Sequence, residues 1–520
     1  MRVEISNRVT IYGASKEFRD KIKASLTFDN PAYKNAMRFS KYAYTRIPKY
    51  VTYYDEFSVS EDGERKKVIS VPIGATVNYP EVAWFDDLRK QGKVTYPRFL
   101  LDLREDQIRA EESYLSSYEI QGLEVACPRS IIQLPTGKGK SILALHIAQR
   151  LKAKTLILVH KDDLVIGWTK DAKLCFGEDF EVGIIKAKKR KVGEQVTIAT
   201  VQTLSRMSAD ELSQYTSQFD LVVQDEVHHI GINIFNVIDK FSSIYKLGLS
   251  ATPTRSDGLN YVFDLFFGGL CYKYDYSQAD EDISQVEVIV KSSNFKYEPF
   301  LYNGMIYNLH SFAPSELPEK YTLVRDIPYE KRPQIPFLNI DSEMVLDSKY
   351  MCIVCKDIIK EYREGHSCIA LFNQKEHIRK YRDFLKQFIP ENQILLYYGD
   401  AKESSEELMQ KAESKECLVT LATYAKATEG TNVKSWEVEF LVSSLNNEKN
   451  VEQATGRIRR VKKGKLNPVR VYDYKVEGYS IQNHYSTRLN TYNRLHYIVK
   501  DPNGASNNLL FSRGFKKSLL

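Results

Sequence analysis

Short apolar runs, each bounded by a polar or glycine turn and followed by a helix-period pattern, recur along most of the chain. In the first half they are Ser130–Leu134, Thr155–His160, Val196–Thr200, Asp220–Gln224 and Leu247–Ser250. In the second half they are Cys368–Phe372, Gln393–Tyr398, Cys417–Thr423, Glu439–Ser443 and Val469–Tyr474. These runs are rich in β-branched residues and apolar at successive positions. That pattern predicts strands buried on both faces, as in parallel sheets with crossover helices. Two such series predict two α/β domains, over 99–276 and 344–490. Between them, 277–343 loses the rhythm and carries Pro299, Pro314, Pro318, Pro328, Pro333 and Pro336, as a linker or inserted lobe would. Residues 1–98 have strand-like pieces and a basic, Tyr-rich middle, and read as a small separate domain. The last stretch, 491–520, reads as a tail.

Composition narrows this picture only slightly. The chain has 520 residues, and its 74 Lys+Arg against 67 Asp+Glu leave a net charge of +7. That balance permits a nucleic-acid partner without requiring one. The 43% apolar and 27% charged fractions are ordinary for a globular protein and argue against wholesale disorder. No apolar run approaches the ~18–20 residues that span a bilayer, and Glu4 and Asn7 interrupt any signal-peptide core. Seven Cys without a pairing plan read as reduced thiols of a cytosolic protein. Cys352 and Cys355 lie in an apolar helical run without a second pair, so packed thiols are expected there rather than a metal site.

Candidate chemistry enters at Leu134-Pro135-Thr136-Gly137-Lys138-Gly139-Lys140-Ser141, between the first strand and a helical pattern. Gly137 and Gly139 let backbone N–H groups turn inward around phosphate oxygens at the positive end of a helix. Lys140 would neutralise the β- and γ-phosphates, and the Ser141 hydroxyl would hold Mg²⁺. The strict P-loop pattern has Gly where Leu134 stands. Asp225 and Glu226 follow the apolar run Asp220–Gln224, where carboxylates emerge at the carboxyl end of a parallel sheet. Asp225 suits Mg²⁺ through water. Glu226 suits the attacking water, which it would orient or deprotonate.

From here the sequence resembles the superfamily 2 helicases in their DExH form. Asp225-Glu-Val-His228 resembles motif II, Ser250-Ala-Thr252 motif III, and Gln453-Ala-Thr-Gly-Arg457-Ile-Arg-Arg460 motif VI. Arg104 through Gln107 resemble the adenine-reading element, Phe372-Asn373 motif IV, and Thr423 through Asn432 motif V, with Gly430 inside it. The order and spacing fit from about residue 100 to 475. The arrangement with a small N-terminal domain resembles the UvsW-type phage recombination helicases, and the His-His ending of motif II also resembles XPB-like helicases. The resemblance implies an α/β fold of two tandem RecA-like parallel-sheet domains plus a small N-terminal α+β domain. It implies ATP and Mg²⁺ as cofactors, and ATP sandwiched so that hydrolysis needs closure of two domains. Gln107 would read adenine, with a surface helix residue as the alternative. Arg457 and Arg460, expected three apart on one helix face, would act as arginine fingers beside Gln453. His228, Ser250, Thr252, Gly430 and Asn432 would couple the ATP site to the nucleic-acid groove.

The resemblance also implies DNA, branched or forked, as partner. Single-strand-binding or recombination proteins are further candidates, in the cytoplasm of a bacterial or phage-infected cell. Gln202, Thr203, Asn373 and Thr423 would contact the backbone without reading sequence. His160-Lys161 departs from the family pattern. Lys186–Lys191 holds five bases in six residues and reads equally as a solvated loop or a phosphate contact. In the N-terminal region, Tyr33, Phe39, Tyr42 and Tyr44 interleave with Lys34, Arg38, Lys41 and Arg46. Rings there could stack on bases while cations hold phosphates, although a helix with a basic outer face has the same composition. An RNA helicase, a restriction-system motor and a scaffold with a degenerate ATPase core are the competing readings.

Overall fold

The computed structural model describes residues 1–39, 46–61, 63–75, 84–117, 119–120, 123–126, 129–135, 137–229, 237–253, 260–275, 283–399, 405–427, 433–478 and 481–502. The chain divides into two compact units, Met1–Tyr274 and Asp275–Leu520. Among the described residues no helix is long and apolar enough to cross a membrane.

The first unit begins with a five-stranded sheet, ordered Asp55–Glu61, Glu64–Pro72, Arg8–Tyr12, Arg2–Ile5, Trp84–Asp87. Alternation in its first strands buries Val3, Ile5, Val9 and Ile11 and leaves Arg2, Glu4 and Thr10 half-buried. Helix Lys16–Ser25 follows, with the Ser15 hydroxyl accepting from Phe18 N at 3.2 Å as its cap. This sheet does not stand apart. Arg8 pairs with Asp239, Asn7 donates to Asp239 O at 2.8 Å, and the Phe28 ring stacks on Tyr261 at 3.8 Å. Gly74 N donates to Leu265 O at 2.9 Å, and a Cβ there would meet Asp264 O at 2.2 Å. Only glycine permits that approach.

The eight-stranded sheet of the same unit runs Lys189–Lys191, Gly183–Lys186, Val196–Thr200, Thr155–Val159, Leu221–Gln224, Tyr245–Ser250, Arg129–Gln133, Leu270–Lys273. Every pairing is parallel except the hairpin of the first two strands. Its central strands are buried along their whole length, as the continuous apolar runs require.

The second unit carries a seven-stranded parallel sheet ordered Ile394–Tyr397, Val419–Thr423, Cys368–Phe372, Val438–Leu441, Val469–Gly478, Val286–Tyr297, Ile498–Lys500. The interval 277–343 is therefore divided. Val286–Tyr297 alternates buried and open positions and joins the sheet, while Pro299–Tyr302, Met305–Asn308 and Thr322–Leu323 form a small antiparallel lobe. Within 491–520, Ile498–Lys500 is the sheet's edge strand. The fold is thus an N-terminal mixed α+β domain followed by two RecA-like α/β domains.

Candidate active site

The strand Arg129–Gln133 delivers the P-loop to the carboxyl edge of its sheet, where Leu134 N donates to Ser250 O at 3.1 Å. Gly137 and Gly139 both hold left-handed backbone, φ 90 and 67, and the helix Lys140–Leu151 starts directly after them. Beneath the loop, the buried Gln107 amide donates to Lys138 O at 3.1 Å and Gly139 O at 3.0 Å. Its Oε1 accepts from Arg104 N at 2.9 Å, and Arg104 Nη1 reaches Gly137 O at 3.4 Å. Gln107 is therefore no surface residue. Both of its N–H groups brace the loop, and an adenine contact would use the second lone pair of Oε1. A Cβ on Gly139 would meet Gln107 Nε2 at 2.6 Å. Lys138 turns away, its Nζ 3.5 Å from Asp106 and 5.4 Å from the Tyr274 ring centre, so any phosphate contact there falls to its backbone. Lys138 N donates to Pro135 O at 3.3 Å. Thr136 lies outside the described residues.

Strand Leu221–Gln224 places Asp225 and Glu226 on the same edge, with Asp225 N donating to Leu158 O at 3.0 Å. Lys140 Nζ lies 4.0 Å from Glu226 Oε1 and donates to Leu134 O at 3.2 Å. Glu226 has φ 48, which costs a non-glycine residue of order 1 kcal/mol and aims its side chain at the P-loop lysine. Its Oε2 is buried and, among the described residues, accepts no hydrogen bond. Burial, and then the charge of Glu226, push the Asp225 carboxyl above its ordinary range; the Trp168 indole N–H, donated to Oδ2 at 2.8 Å, opposes them. The Ser141 hydroxyl is held by Asp171. A left-handed glycine turn at a helix start, a carboxylate oxygen that takes no hydrogen bond among the described residues, and the hard oxygens of Asp225 and Ser141 fit a Mg²⁺-bound triphosphate.

Trp168 and Asp171 were not foreseen. Both sit on helix Asp162–Phe176, three residues apart and so on one face. The available signal was a lone Trp in an apolar helix, since a buried indole N–H must find an acceptor.

From Glu226 the polar contacts continue. His228 Nδ1 lies 3.5 Å from Glu226 Oε2 and 2.7 Å from Ser250 Oγ, which in turn accepts from Thr252 N at 3.0 Å. Ser250 thus touches both the motif II histidine and the P-loop strand. Gly430 and Asn432 lie outside the described residues.

In the second unit, Gln453 is buried on helix Glu448–Thr455. Arg457 and Arg460 are not on a helix, contrary to the expectation from their spacing: the helix stops at Thr455. Lys465 Nζ takes the carbonyls of Ile458 and Arg460 at 2.7 and 2.8 Å, and Ser284 N takes that of Arg459 at 2.8 Å. Those carbonyls are then lost to a helix, and Arg460 bridges Ile283 in extended pairing.

The expected nucleic-acid residues fall into three groups. Gln202 Nε2 donates to His160 O at 2.6 Å, and Thr203 Oγ1 accepts from Ala187 N at 3.0 Å, both at the carboxyl edge of the first parallel sheet. Asn373 Nδ2 donates to the buried Asp341 at 3.0 Å, and Thr423 ends its strand beside Phe372. Arg38 belongs to helix Pro31–Phe39 and Arg46 is exposed beyond it, while Lys41 and Tyr42 lie outside the described residues.

A family model described as type III restriction enzyme, res subunit, matches residues 100–255. The DNA 3'-5' translocase XPB2 of Sulfurisphaera tokodaii is 26% identical over 74% of this chain and 90% of its own length. The probable helicase D10 of Escherichia phage T5 is 25% identical over 75% of each. Among solved structures, T4 UvsW aligns with 96% of this chain and 99% of its own at 16% identity, with a TM-score of 0.35. Motifs gathered on one sheet edge and relatives matched over three quarters of the chain lead to one conclusion: the chain carries a superfamily 2 DExH-box helicase domain related to the XPB-like helicases, an ATP-driven nucleic-acid motor.

Proposed function

We propose that the chain is an ATP-dependent DNA helicase or translocase that unwinds or branch-migrates branched DNA, in the manner of the UvsW-type enzymes. The observation that carries the ATP-hydrolysing part of this reading is the convergence of Lys140, Asp225 and Glu226, with the Glu226 carboxylate 4.0 Å from the Lys140 ammonium. ATP with Mg²⁺ supplies the transferable phosphoryl group and the charge that offsets it. Lys140 and the loop N–H groups would hold phosphate, Asp225 and Ser141 would hold the metal, and Glu226 would take a proton from water. Arg457 and Arg460 meet charge developing on the phosphoryl group, with Gln453 beside them. DNA is favoured by the name of the XPB2 relative, and branched DNA by the basic-aromatic stretch around Arg38 and Arg46.

The test is ATP turnover with single-stranded DNA, duplex DNA, a four-way junction and RNA. Strongest stimulation by the junction is expected. Stimulation by RNA above every DNA would overturn the DNA reading, and stimulation by none would overturn the motor.

A further inference from the structure

The basic segment Lys186–Lys191 is a built element. Gly183–Lys186 and Lys189–Lys191 pair as an antiparallel hairpin on the outer edge of the first parallel sheet, with Ala187 and Lys188 as its turn. Three features oppose that turn locally. Ala187 sits at φ 49, where hairpins ordinarily place Gly or Asn. Lys186 and Lys189 stand opposite one another, a like-charge pair that destabilises the ladder. Five of the six residues are cations. Other groups hold the turn in place. Thr203 Oγ1 accepts from Ala187 N at 3.0 Å, and its own partner is Thr200 Oγ1 at 2.7 Å. Lys186 is neutralised by Asp162 at 3.0 Å, Arg190 by Glu211 at 2.9 Å and Lys191 by Glu181 at 2.7 Å. Lys188 and Lys189 are exposed at the tip and have no acidic partner among the described residues.

The sheet fixes where that tip stands. Register sets Ile185, the residue before Lys186, level with Ala199, Ala199 level with Leu158, and Leu158 level with Gln224, the residue before Asp225. The hairpin therefore shares the carboxyl edge with the catalytic carboxylates, three strands away, or about 14 Å at the usual strand spacing. That is too far to serve the nucleotide. Gln202 and Thr203 lie between, on the helix Val201–Ser205.

We propose that the Lys186–Lys191 hairpin is a phosphate-gripping wing of the nucleic-acid track, with Lys188 and Lys189 as its contacts and Thr203 as its strut. The strained turn and the unbalanced tip charge have no use to the fold, whereas two fixed ammonium groups on this edge meet backbone phosphates without reading sequence. Thr203, expected as a direct contact, acts through Ala187 instead. The inference rests on the motor reading above and deepens it.

The test is binding of an oligodeoxythymidine to the full chain over a range of salt, for wild type, Lys188→Ala/Lys189→Ala, Lys188→Arg/Lys189→Arg and Thr203→Val. Two lost contacts should flatten the slope of log affinity against log salt by about 1.4, at ~0.7 per single-strand phosphate. The Arg pair should restore it. Thr203→Val should flatten it partly, with both lysines present. An Ala pair with an unchanged slope, while wild type binds, overturns the wing and leaves the motor standing. Wild type that binds no nucleic acid overturns both. The alanines replace exposed side chains, and an unchanged thermal midpoint ties any loss of slope to charge.

Discussion

Glu226 is the residue where local backbone cost and chemistry coincide: a non-glycine at φ 48 whose buried Oε2 takes no hydrogen bond among the described residues. Such strain persists where the surroundings dictate it, and here it keeps the Glu226 carboxylate, the proposed base, 4.0 Å from the Lys140 ammonium. Glu226→Gln should keep ATP and Mg²⁺ binding and lose hydrolysis by at least ~100-fold, because an amide accepts no proton from water. Nucleotide affinity measured beside turnover checks this; affinity lost as fully as in Lys140→Ala would make Glu226 structural. Gly139 offers a sharper steric test. Alanine there would place a Cβ 2.6 Å from Gln107 Nε2 at φ 67, so Gly139→Ala should weaken ATP binding by displacing the brace under the loop. Unchanged ATP affinity in that variant would show that the loop tolerates a different path. The proposed catalytic residues stood out in the sequence by chemical type and local position, Asp225 and Glu226 after an apolar strand and Lys140 and Ser141 at a helix start. The brace was not. Gln107, Trp168 and Asp171 act through contacts between distant segments, which a spacing rule does not encode.

At the scale of elements, the parallel strands were readable because burial on both faces forces uninterrupted apolar runs. The motif VI arginines show where periodicity misleads. Their spacing suits a helix, but Lys465 and Ser284 take the carbonyls that a helix needs. Val286–Tyr297 was hidden for the opposite reason: an alternating strand amid prolines resembles a linker. One consequence is a pH dependence. Glu439, on strand Val438–Leu441, is wholly buried, and neither of its oxygens has a hydrogen-bond partner among the described residues. Burial pushes its carboxyl up to about 8, opposed by Arg457. An acid raised on folding contributes stability present below its unfolded pKa and lost as pH rises through the folded one. Wild type should therefore lose stability between about pH 4.5 and 8, at up to ~1.4 kcal/mol per unit from this group. Glu439→Gln should flatten that fall in thermal midpoint, and an unaltered slope would mean the carboxylate is ionised and paired.

The N-terminal sheet is an element of a different kind. Its ties to the first α/β domain, Arg8 to Asp239 and Phe28 on Tyr261, mean that deleting residues 1–95 would strip a packed face. Point substitutions are the informative route. Arg38→Ala/Lys41→Ala/Arg46→Ala should weaken binding to forked or four-way DNA and flatten the salt slope by up to ~2–3 units. A wild-type slope would assign the stretch to a solvated helix face.

At the scale of the whole molecule, the phosphate-binding groups and the two acids lie in the first unit, while Gln453, Arg457 and Arg460 lie in the second. If ATP were hydrolysed by the first unit alone, removing a second-unit arginine would leave turnover intact. In the proposed motor it cannot, because the guanidinium groups proposed to meet the transferring phosphoryl group are Arg457 and Arg460, whereas near Glu226 the first unit places the Lys140 ammonium at 4.0 Å and the His228 ring at 3.5 Å. Arg457→Ala should lower kcat by about 10³-fold while leaving ATP affinity nearly unchanged, as expected of a charge that meets the phosphoryl group chiefly in the transition state. Arg457→Lys should recover little, since an ammonium lacks the planar two-pronged donor set. Steady-state turnover and direct nucleotide binding, measured on both variants with and without DNA, separate the outcomes. A raised KM with intact kcat would make Arg457 a ground-state binder. An intact kcat and KM would confine hydrolysis to the first unit, and translocation could not then be driven by ATP-linked closure of the two.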